Sequence, residues 1–483
     1  MRVLVANPPW PGKGYGARSD VRWPHKRKDK FLEYPIYLSY VVALLEKEGI
    51  EVIFIDAIFD ELSIEGFAAE VKRHMPGMVI LECSTPSFDY DLQTAKLIKA
   101  TLPEAKTVLV GSHVTVFHKE IMEAHLYVDV ICRGEFEMTV LDLAKSEGEP
   151  DHVSSVPGIT YRKKGDIVAN EDRPLIENLD DLPFPARHII KTENYRQGTF
   201  SGKKSTTMIT SRGCPYHCTF CLWPGTLYGH QYRKRSVGSV VDEIEHVVKD
   251  HGVDEIYFDD DCWALDRERA IAICREICER DLKIRWIVQI RADALTEELI
   301  KEMKRAGCCY LRIGVESGSQ KMLDLMKKKT TLEVIEKAFR LARSAHIKTQ
   351  AFFLLGLPGE DEESVNQTIA FAKKIRPDSA QFAIAIPHPG TRLYEECLKD
   401  GWLEFKKWED FCSTNCLIGT DTFSRQQVDG ARIKAYRRFY YRPSFVAKTL
   451  VGIRSFGEAR SIWKSAQSIG ERLRYFKKSA REI

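Results

Sequence analysis

Residues 210–224 read TSRGCPYHCTFCLWP. Cys214, Cys218 and Cys221 are spaced C-x3-C-x2-C directly after an apolar run, so they sit on one short loop that leaves a strand. Three thiolates on such a loop can ligate three irons of a [4Fe–4S] cluster and leave the fourth iron without a protein ligand. Gly213 and Pro215 suit a loop folded tightly around a cluster. The competing reading is a zinc knob or three unrelated thiols. Structural zinc wants a fourth Cys or His. His217 lies inside the loop, but its neighbours, Phe220 among them, follow the iron–sulfur pattern.

Working outward, residues 205–395 repeat strand then helix six times. Strands are expected at 206–211, 255–260, 285–291, 309–316, 349–356 and 380–387, with helices near 237–252, 266–279, 296–306, 332–345 and 362–375. The pattern predicts a partial (β/α)6 barrel with its site at the carboxyl ends of the strands. Upstream, residues 1–150 carry apolar runs at 2–6, 52–56, 78–82, 107–111 and 128–132, separated by helical periodicity at 36–48, 64–75, 88–101 and 136–146. Such runs are buried on both faces, which predicts a Rossmann-like, doubly wound parallel sheet with ligands at its strand ends. Residues 151–204 hold a hairpin (157–174) and the proline-punctuated linker LDDLPFPARH; residues 396–483 read as mainly helical.

Composition is ordinary for a soluble α/β protein, with 44% hydrophobic and 29% charged residues. No apolar run approaches the roughly 18 residues that cross a bilayer. The opening MRVLVANPPW reads as a buried strand rather than a signal peptide, so a cytoplasmic protein is expected. Of 13 cysteines, Cys83, Cys132, Cys274, Cys278, Cys308 and Cys309 lie in apolar patterns and read as core. The net charge of +3 hides an asymmetry: residues 431–483 hold 14 Lys and Arg against 3 Asp and Glu, about +11, leaving about −8 on the rest.

At the cysteine triplet the sequence resembles the radical S-adenosylmethionine (SAM) superfamily, and further strand ends extend the resemblance over 205–395. It implies that Cys214, Cys218 and Cys221 hold the cluster. Asp259, Asp260 and Asp261 match the segment that takes the SAM amino group, and Arg291 matches a position that contacts SAM. Glu316 and Ser317, in GVESGS, match the contacts to ribose and carboxylate. Gly356 and Gly359, in GLPGE, match the motif beside the adenine, and PHPGT (387–391) matches the end of the sixth strand. Each has a bland alternative: a triple Asp is also a solvated loop or a helix cap, and Gly-Leu-Pro-Gly is also a turn. Their fixed order at successive strand ends carries the argument.

The first 150 residues resemble the cobalamin-binding domain of one subgroup of these enzymes. The matching segments are NPPW (7–10), YPIYLSYVVALLEKEG (34–49), GSHVTVF (111–117) and CRGEFEMTVLDL (132–143). The resemblance implies that Asn7, Pro8, Gly111, Ser112, His113, Gly134 and Glu135 surround the corrinoid. D-x-H-x-x-G is missing, so no histidine is marked as a cobalt ligand, and the domain either binds cobalamin or keeps only its fold. CTFCLWPGTLYGHQYRKRS and YFDDD resemble, more narrowly, the hopanoid enzyme that contracts a sugar ring to a cyclitol, and calditol synthase; magnesium-protoporphyrin cyclase is a more distant relative.

In the tail, Phe439, Tyr440, Phe445, Leu450, Ile453, Phe456, Ile462, Trp463, Ile469, Leu473 and Phe476 would give helices an apolar face with basic flanks. That face either rests on the inner, anionic membrane surface or caps the barrel. Cys412 and Cys416, with Cys397, are a weak candidate for an auxiliary cluster. The resemblance implies hydrogen abstraction from an unactivated carbon of a lipid-linked or isoprenoid substrate, followed by ring contraction, cyclisation or C–C bond formation. The alternative is a cobalamin-dependent methyltransferase; a non-enzymatic cobalamin or lipid sensor fits poorly with a complete cysteine triplet. A reductase, flavodoxin or ferredoxin is the expected electron donor, and no nucleic acid is expected.

Overall fold

The computed structural model describes residues 1–10, 32–146, 150–192, 195, 204–412, 415–451 and 470. The five apolar runs of the first part form parallel strands: β1 (Val3–Asn7), β2 (Val52–Asp56), β3 (Met78–Glu82), β4 (Lys106–Val110) and β5 (Val130–Cys132). Their order is β2-β1-β3-β4-β5. The order reverses between β1 and β3, which opens a crevice at their carboxyl ends. The hairpin extends this sheet. Its strands β6 (Ile159–Lys163) and β7 (Asp166–Ala169) add antiparallel beyond β5. The buried Arg133 guanidinium fixes them there, donating to Ile159 O at 2.6 Å, Thr160 Oγ1 at 2.7 Å and Asn170 O at 2.6 Å.

The second sheet starts with β8 (Ser205–Met208), followed by a two-residue antiparallel ribbon of β9 (Ser211–Arg212) and β10 (Arg233–Lys234). It continues with β11 (Glu255–Phe258), β12 (Arg285–Arg291), β13 (Cys308–Glu316), β14 (Lys348–Leu355) and β15 (Ser379–Ile384). All six main strands are parallel and lie in chain order, with β8 and β15 at the edges. The helices that follow β10 to β14 begin at Ser236, Asp266, Thr296, Thr331 and Asp361, each accepting a backbone N–H into its side chain. Aliphatic and aromatic residues fill the core, with Phe258, Trp263 and Trp286 in mutual ring contact.

Within residues 396–483 the structure describes 396–412, 415–451 and 470, where helices alternate with irregular chain. The described residues of 403–424 include a Leu403–Ile418 bridge and a short helical turn at Trp408–Asp410 before the helix Arg425–Tyr440. That helix covers the edge strand β15. Tyr440 Oη accepts from Ala380 N–H at 2.9 Å and donates to Ala380 O at 2.7 Å, while Tyr436 and Phe439 set their rings 5.4 and 6.0 Å from Phe382. An open edge is thereby closed to other strands. Phe445 packs on Phe439 and Tyr440 at 5.5 and 5.2 Å. These three rings are therefore cap residues and not a free membrane-facing stripe. The Leu450 side chain, and Ile453, Phe456, Ile462, Trp463, Ile469, Leu473 and Phe476, lie outside what is described. No helix of the described residues is long and apolar enough to cross a membrane.

Phe439 is fully buried, so Phe439→Ala should cost about 3–5 kcal/mol. Urea unfolding followed by tryptophan fluorescence reads this as a lowered midpoint; an unchanged midpoint would show that the helix does not support the barrel.

Candidate active site

The cysteine loop is clamped by its surroundings. Gly213 takes φ +81°, and an added Cβ would run into the Gln231 carbonyl, so glycine alone lets the β9–β10 ribbon close over the loop's entry. Gly213 N–H donates to Asp261 Oδ2 at 2.8 Å. Thr219 N–H donates to Met326 O at 3.1 Å, and Leu393 N–H donates to Thr219 O at 2.9 Å. Cys214, Cys218 and Cys221 are all half-buried. Among the described residues no three His, Cys, Asp or Glu side chains converge as a ready-made metal site. Cys214 Sγ lies 3.9 Å from Cys262 Sγ, and Cys218 Sγ lies 3.8 Å from Lys327 O. The Cys262 hydrogen bond is the main cause that brings the Cys214 thiol down to about 6, whereas burial pushes Cys218 and Cys221 up.

The strand ends divide into two groups. Asp260 Oδ1 accepts from Thr210 N–H (3.0 Å), Thr210 Oγ1 (2.7 Å) and Ser211 Oγ (2.6 Å), pinning the chain before the loop to the end of β11. Its Oδ2 is buried with no hydrogen-bond partner. Burial pushes Asp260 up to about 6 and Asp261 up to about 7. Glu316 ends β13 at a register shift, with φ +65°, and its Oε1 lies 2.7 Å from Lys328 Nζ. Lys327 and Lys329, on either side, also hold positive φ, +55° and +51°. Non-glycine residues in this region cost of order 1–3 kcal/mol each and concentrate at functional sites.

Arg291 does not project freely; it pairs with Asp293 at 2.7 Å, donates to Lys328 O at 2.8 Å and stacks 3.5 Å over the Tyr216 ring of the loop. Ser317 is turned toward the helix Glu362–Ile375, 3.1 Å from Thr368 Oγ1. Gly356 and Gly359 (φ +84° and +86°) shape a turn in which Gly356 N–H donates to the buried Glu360 carboxylate. Asp261, Arg291 and Glu316 thus gather round the loop, whereas Ser317 does not.

At the first sheet, Asn7 Nδ2 donates to Asp56 Oδ1 at 2.9 Å, and buried Pro8 follows. Gly111 takes φ +117°, where an added Cβ would strike the Cys83 carbonyl. Ser112 opens a short helix in which His113 Nδ1 lies 3.2 Å from Thr85 Oγ1. His113 Nε2 is buried without a partner, among the rings of Phe88, Phe117 and Trp408 at 4.2, 5.0 and 4.6 Å. Burial pushes this imidazole down to about 3. Gly134 N–H donates to Thr115 Oγ1 at 3.0 Å. Glu135 faces the barrel. Its Oε1 lies 2.7 Å from Arg212 Nη1, and its Oε2 accepts from Arg233 Nη1 (2.7 Å) and Ile176 N–H (2.8 Å).

Residues 208–372 match the radical SAM superfamily and residues 26–144 match the B12 binding domain. The chain belongs to the cobalamin-binding-domain subgroup of radical SAM enzymes. An uncharacterized methyltransferase of Pyrococcus horikoshii is 30% identical over 89% of this chain and 92% of its own. The anaerobic magnesium-protoporphyrin IX monomethyl ester cyclase of Cereibacter sphaeroides is 30% identical over 91% of this chain and 70% of its own. Among solved structures, the cobalamin-dependent SAM radical enzyme OxsB, with aqua-cobalamin and SAM bound, superposes with TM-score 0.73 at 17% identity, over 98% of this chain and 71% of that one.

The radical SAM match implies a [4Fe–4S] cluster and SAM, the B12 binding domain supports cobalamin, and the residues present fit all three. Three thiols on one clamped loop, beside the Arg291 and Lys328 cations, suit an iron cluster. The unpartnered Asp260 Oδ2 and His113 Nε2 are buried polar atoms at strand ends, of the kind a polar ligand satisfies. Cys397, Cys412 and Cys416 are buried, with Cys416 Sγ donating to Ile418 O at 3.3 Å; the described residues gather no second cluster there. Sequence reasoning missed Cys262, Lys328, Glu137 and Arg212. Only Cys262 carried a signal, directly after the acidic triad.

Burial pushes the Glu360 carboxyl up to about 8 from an ordinary 4.5, so the folded state keeps a proton that the unfolded chain gives up. This contribution to stability is complete below about pH 4.5 and is lost as pH rises towards about 8. Glu360→Gln, which still accepts from Gly356 N–H, should flatten the decline across that window, read as melting temperature against pH. A slope like the parent's would mean that Glu360 is ionised in the fold.

Proposed function

We propose that the chain is a cobalamin-dependent radical SAM methyltransferase that methylates a carbon centre. The observation that carries this reading is the juxtaposition of the two halves: the turn after β5 and the segment before the cysteine loop share one buried set of charges. The named methyltransferase relative is matched almost end to end, and the cyclase over a smaller share of its length. In the described part of the tail, Phe439, Tyr440 and Phe445 are spent on the barrel and lend no support to a lipid substrate.

In this reading Cys214, Cys218 and Cys221 ligate the cluster, and Asp261 and Glu316 line the SAM side of the loop. Asn7, Gly111, Ser112 and His113 border the corrinoid. When bound, the cluster supplies the electron that splits SAM and the corrinoid supplies the methyl group. The chain's own residues hold the geometry. Asp260 anchors Thr210 and Ser211, Arg291 braces Tyr216, and Lys328 sets a buried cation beside the cysteines while Glu316 balances it. Tyr37, with Trp223 and Tyr228 rings at 6.1 and 5.8 Å, walls the seam between the sheets against water. A reductant outside the chain provides the electron.

Anaerobically reconstituted protein should form both 5′-deoxyadenosine and S-adenosylhomocysteine when turning over; deoxyadenosine with no homocysteine product would favour cyclisation or ring contraction. Cys218→Ala should lose iron and deoxyadenosine together. Asp260→Ala should lower iron content as well, because it frees the loop's anchor. Full iron with weakened SAM binding would instead make Asp260 a SAM ligand.

A further inference from the structure

Between the two sheets lies a group of charges that neither cofactor set accounts for. Arg212, the residue before Gly213 and Cys214, is fully buried. Its Nη1 lies 2.7 Å from Glu135 Oε1 and its Nη2 lies 2.8 Å from Glu137 Oε1. Arg233, opposite Arg212 in the β9–β10 ribbon, takes the other oxygen of Glu135 at 2.7 Å and donates to Tyr228 O at 3.1 Å and Ile176 O at 2.8 Å. The rings of Tyr40, on the helix Ile36–Lys47, and of Tyr228 lie 5.1 and 5.0 Å from the Arg212 guanidinium. The carboxylates belong to the turn after β5, at the ligand-bearing end of the first sheet. The guanidiniums belong to the segments on either side of the cysteine loop. All four charged side chains are 2% exposed.

We infer that Arg212 is a positioning residue whose buried pairing with Glu135 and Glu137 fixes the distance between the corrinoid domain and the cluster loop. This rests on the reading that the cysteine triplet holds the cluster and the first sheet holds the corrinoid. The planar guanidinium hydrogen-bonds Glu135 through Nη1 and makes an ion pair with Glu137 through Nη2, and this two-sided contact sets an orientation that a point charge such as lysine does not reproduce. Gly213 alone separates Arg212 from Cys214, so the orientation of the fork passes directly to the loop. Both sides of the seam are also tied elsewhere, through Trp408 on His113, so breaking the fork loosens the spacing without parting the sheets.

The full-length protein carrying both cofactors tests this by pulsed electron paramagnetic resonance between cob(II)alamin and the reduced cluster. The parent should give one narrow inter-spin distance distribution. Glu135→Gln and Arg212→Lys should keep parental iron and cobalt contents yet broaden that distribution. They should also yield several-fold less methylated product per deoxyadenosine formed. Glu243→Gln is the control: Glu243 is equally buried, with Arg187 Nη1 at 2.7 Å and Arg235 as its partners, and lies outside the fork. It should lower the melting temperature while leaving the distribution narrow. A folded Arg212→Lys protein with the parental distribution overturns the inference, as does equal broadening in Glu243→Gln. Should Glu135→Gln fail to fold, Arg212→Lys, which keeps the charge, decides alone. Loss of iron or cobalt in the parent itself would overturn the underlying reading instead.

Discussion

An arginine placed between two sheets must be matched by carboxylates, and much of this molecule's arrangement follows from matching Arg212. Desolvating one such ion costs several kcal/mol, and removing one partner from a buried pair costs about 3–5 kcal/mol. Replacing the whole set by apolar groups is often neutral. Buried charge at this seam is therefore a poor source of stability and a strong source of orientation. A greasy seam could slide; a fork held by Glu135 and Glu137 cannot. The same device recurs nearby, where linker residue Arg187 and Arg235 share the fully buried Glu243 and Arg187 donates to Thr207 O at 2.7 Å. The proline-rich linker is thus bolted to β8 and is not a tether.

Three of the described non-glycine residues with positive φ lie on the opposite side of the cysteine loop. Glu316, Lys327 and Lys329 all take left-handed backbone, and each is held by contacts that reach the loop. Thr219 hydrogen-bonds Met326, Cys218 approaches Lys327, and Arg291 ties Lys328 O while stacking on Tyr216. Strained conformations persist only where surroundings over-determine them. The ion fork secures the loop's entry and this segment secures its middle, so the three cysteines are displayed from a frame that is rigid on both sides.

How much of this was legible in the sequence depends on the range of the interaction. Parallel strands buried on both faces leave continuous apolar runs, so the strands of both sheets stood out, often to within a residue or two. Cys214, Cys218 and Cys221 were legible because a single loop spaces them. Asp260 and Ser317 were found as strand-end residues, but their neighbours decide which way they point: Thr210 and Ser211 claim one, Thr368 the other. The pairing of Glu135 is illegible in the sequence for the same reason. Its true partners lie 77 and 98 positions away, and no spacing rule reaches that far. Lys328 sits in a run of three lysines that reads as solvated surface; only the fold buries the middle one.

The C-terminal region shows why composition misleads most where it is most distinctive. Aromatic and basic residues alternate there, which fits a membrane-surface helix as well as a cap. Geometry separates the two in the described part. Tyr440 satisfies the backbone of an edge strand, a service no lipid needs, and Phe439 completes a cluster begun by Phe353 and Phe382, stacked at 5.0 Å. Earlier in the same region, Trp408 reaches back to His113 at the end of β4. The chain therefore builds the first sheet, then the barrel, and finally returns to touch both. A segment that closes the barrel's open edge and also packs on the corrinoid side couples the two ends of the molecule. Neither sheet can then rotate against the other without exposing aromatic surface as well as unpairing Arg212.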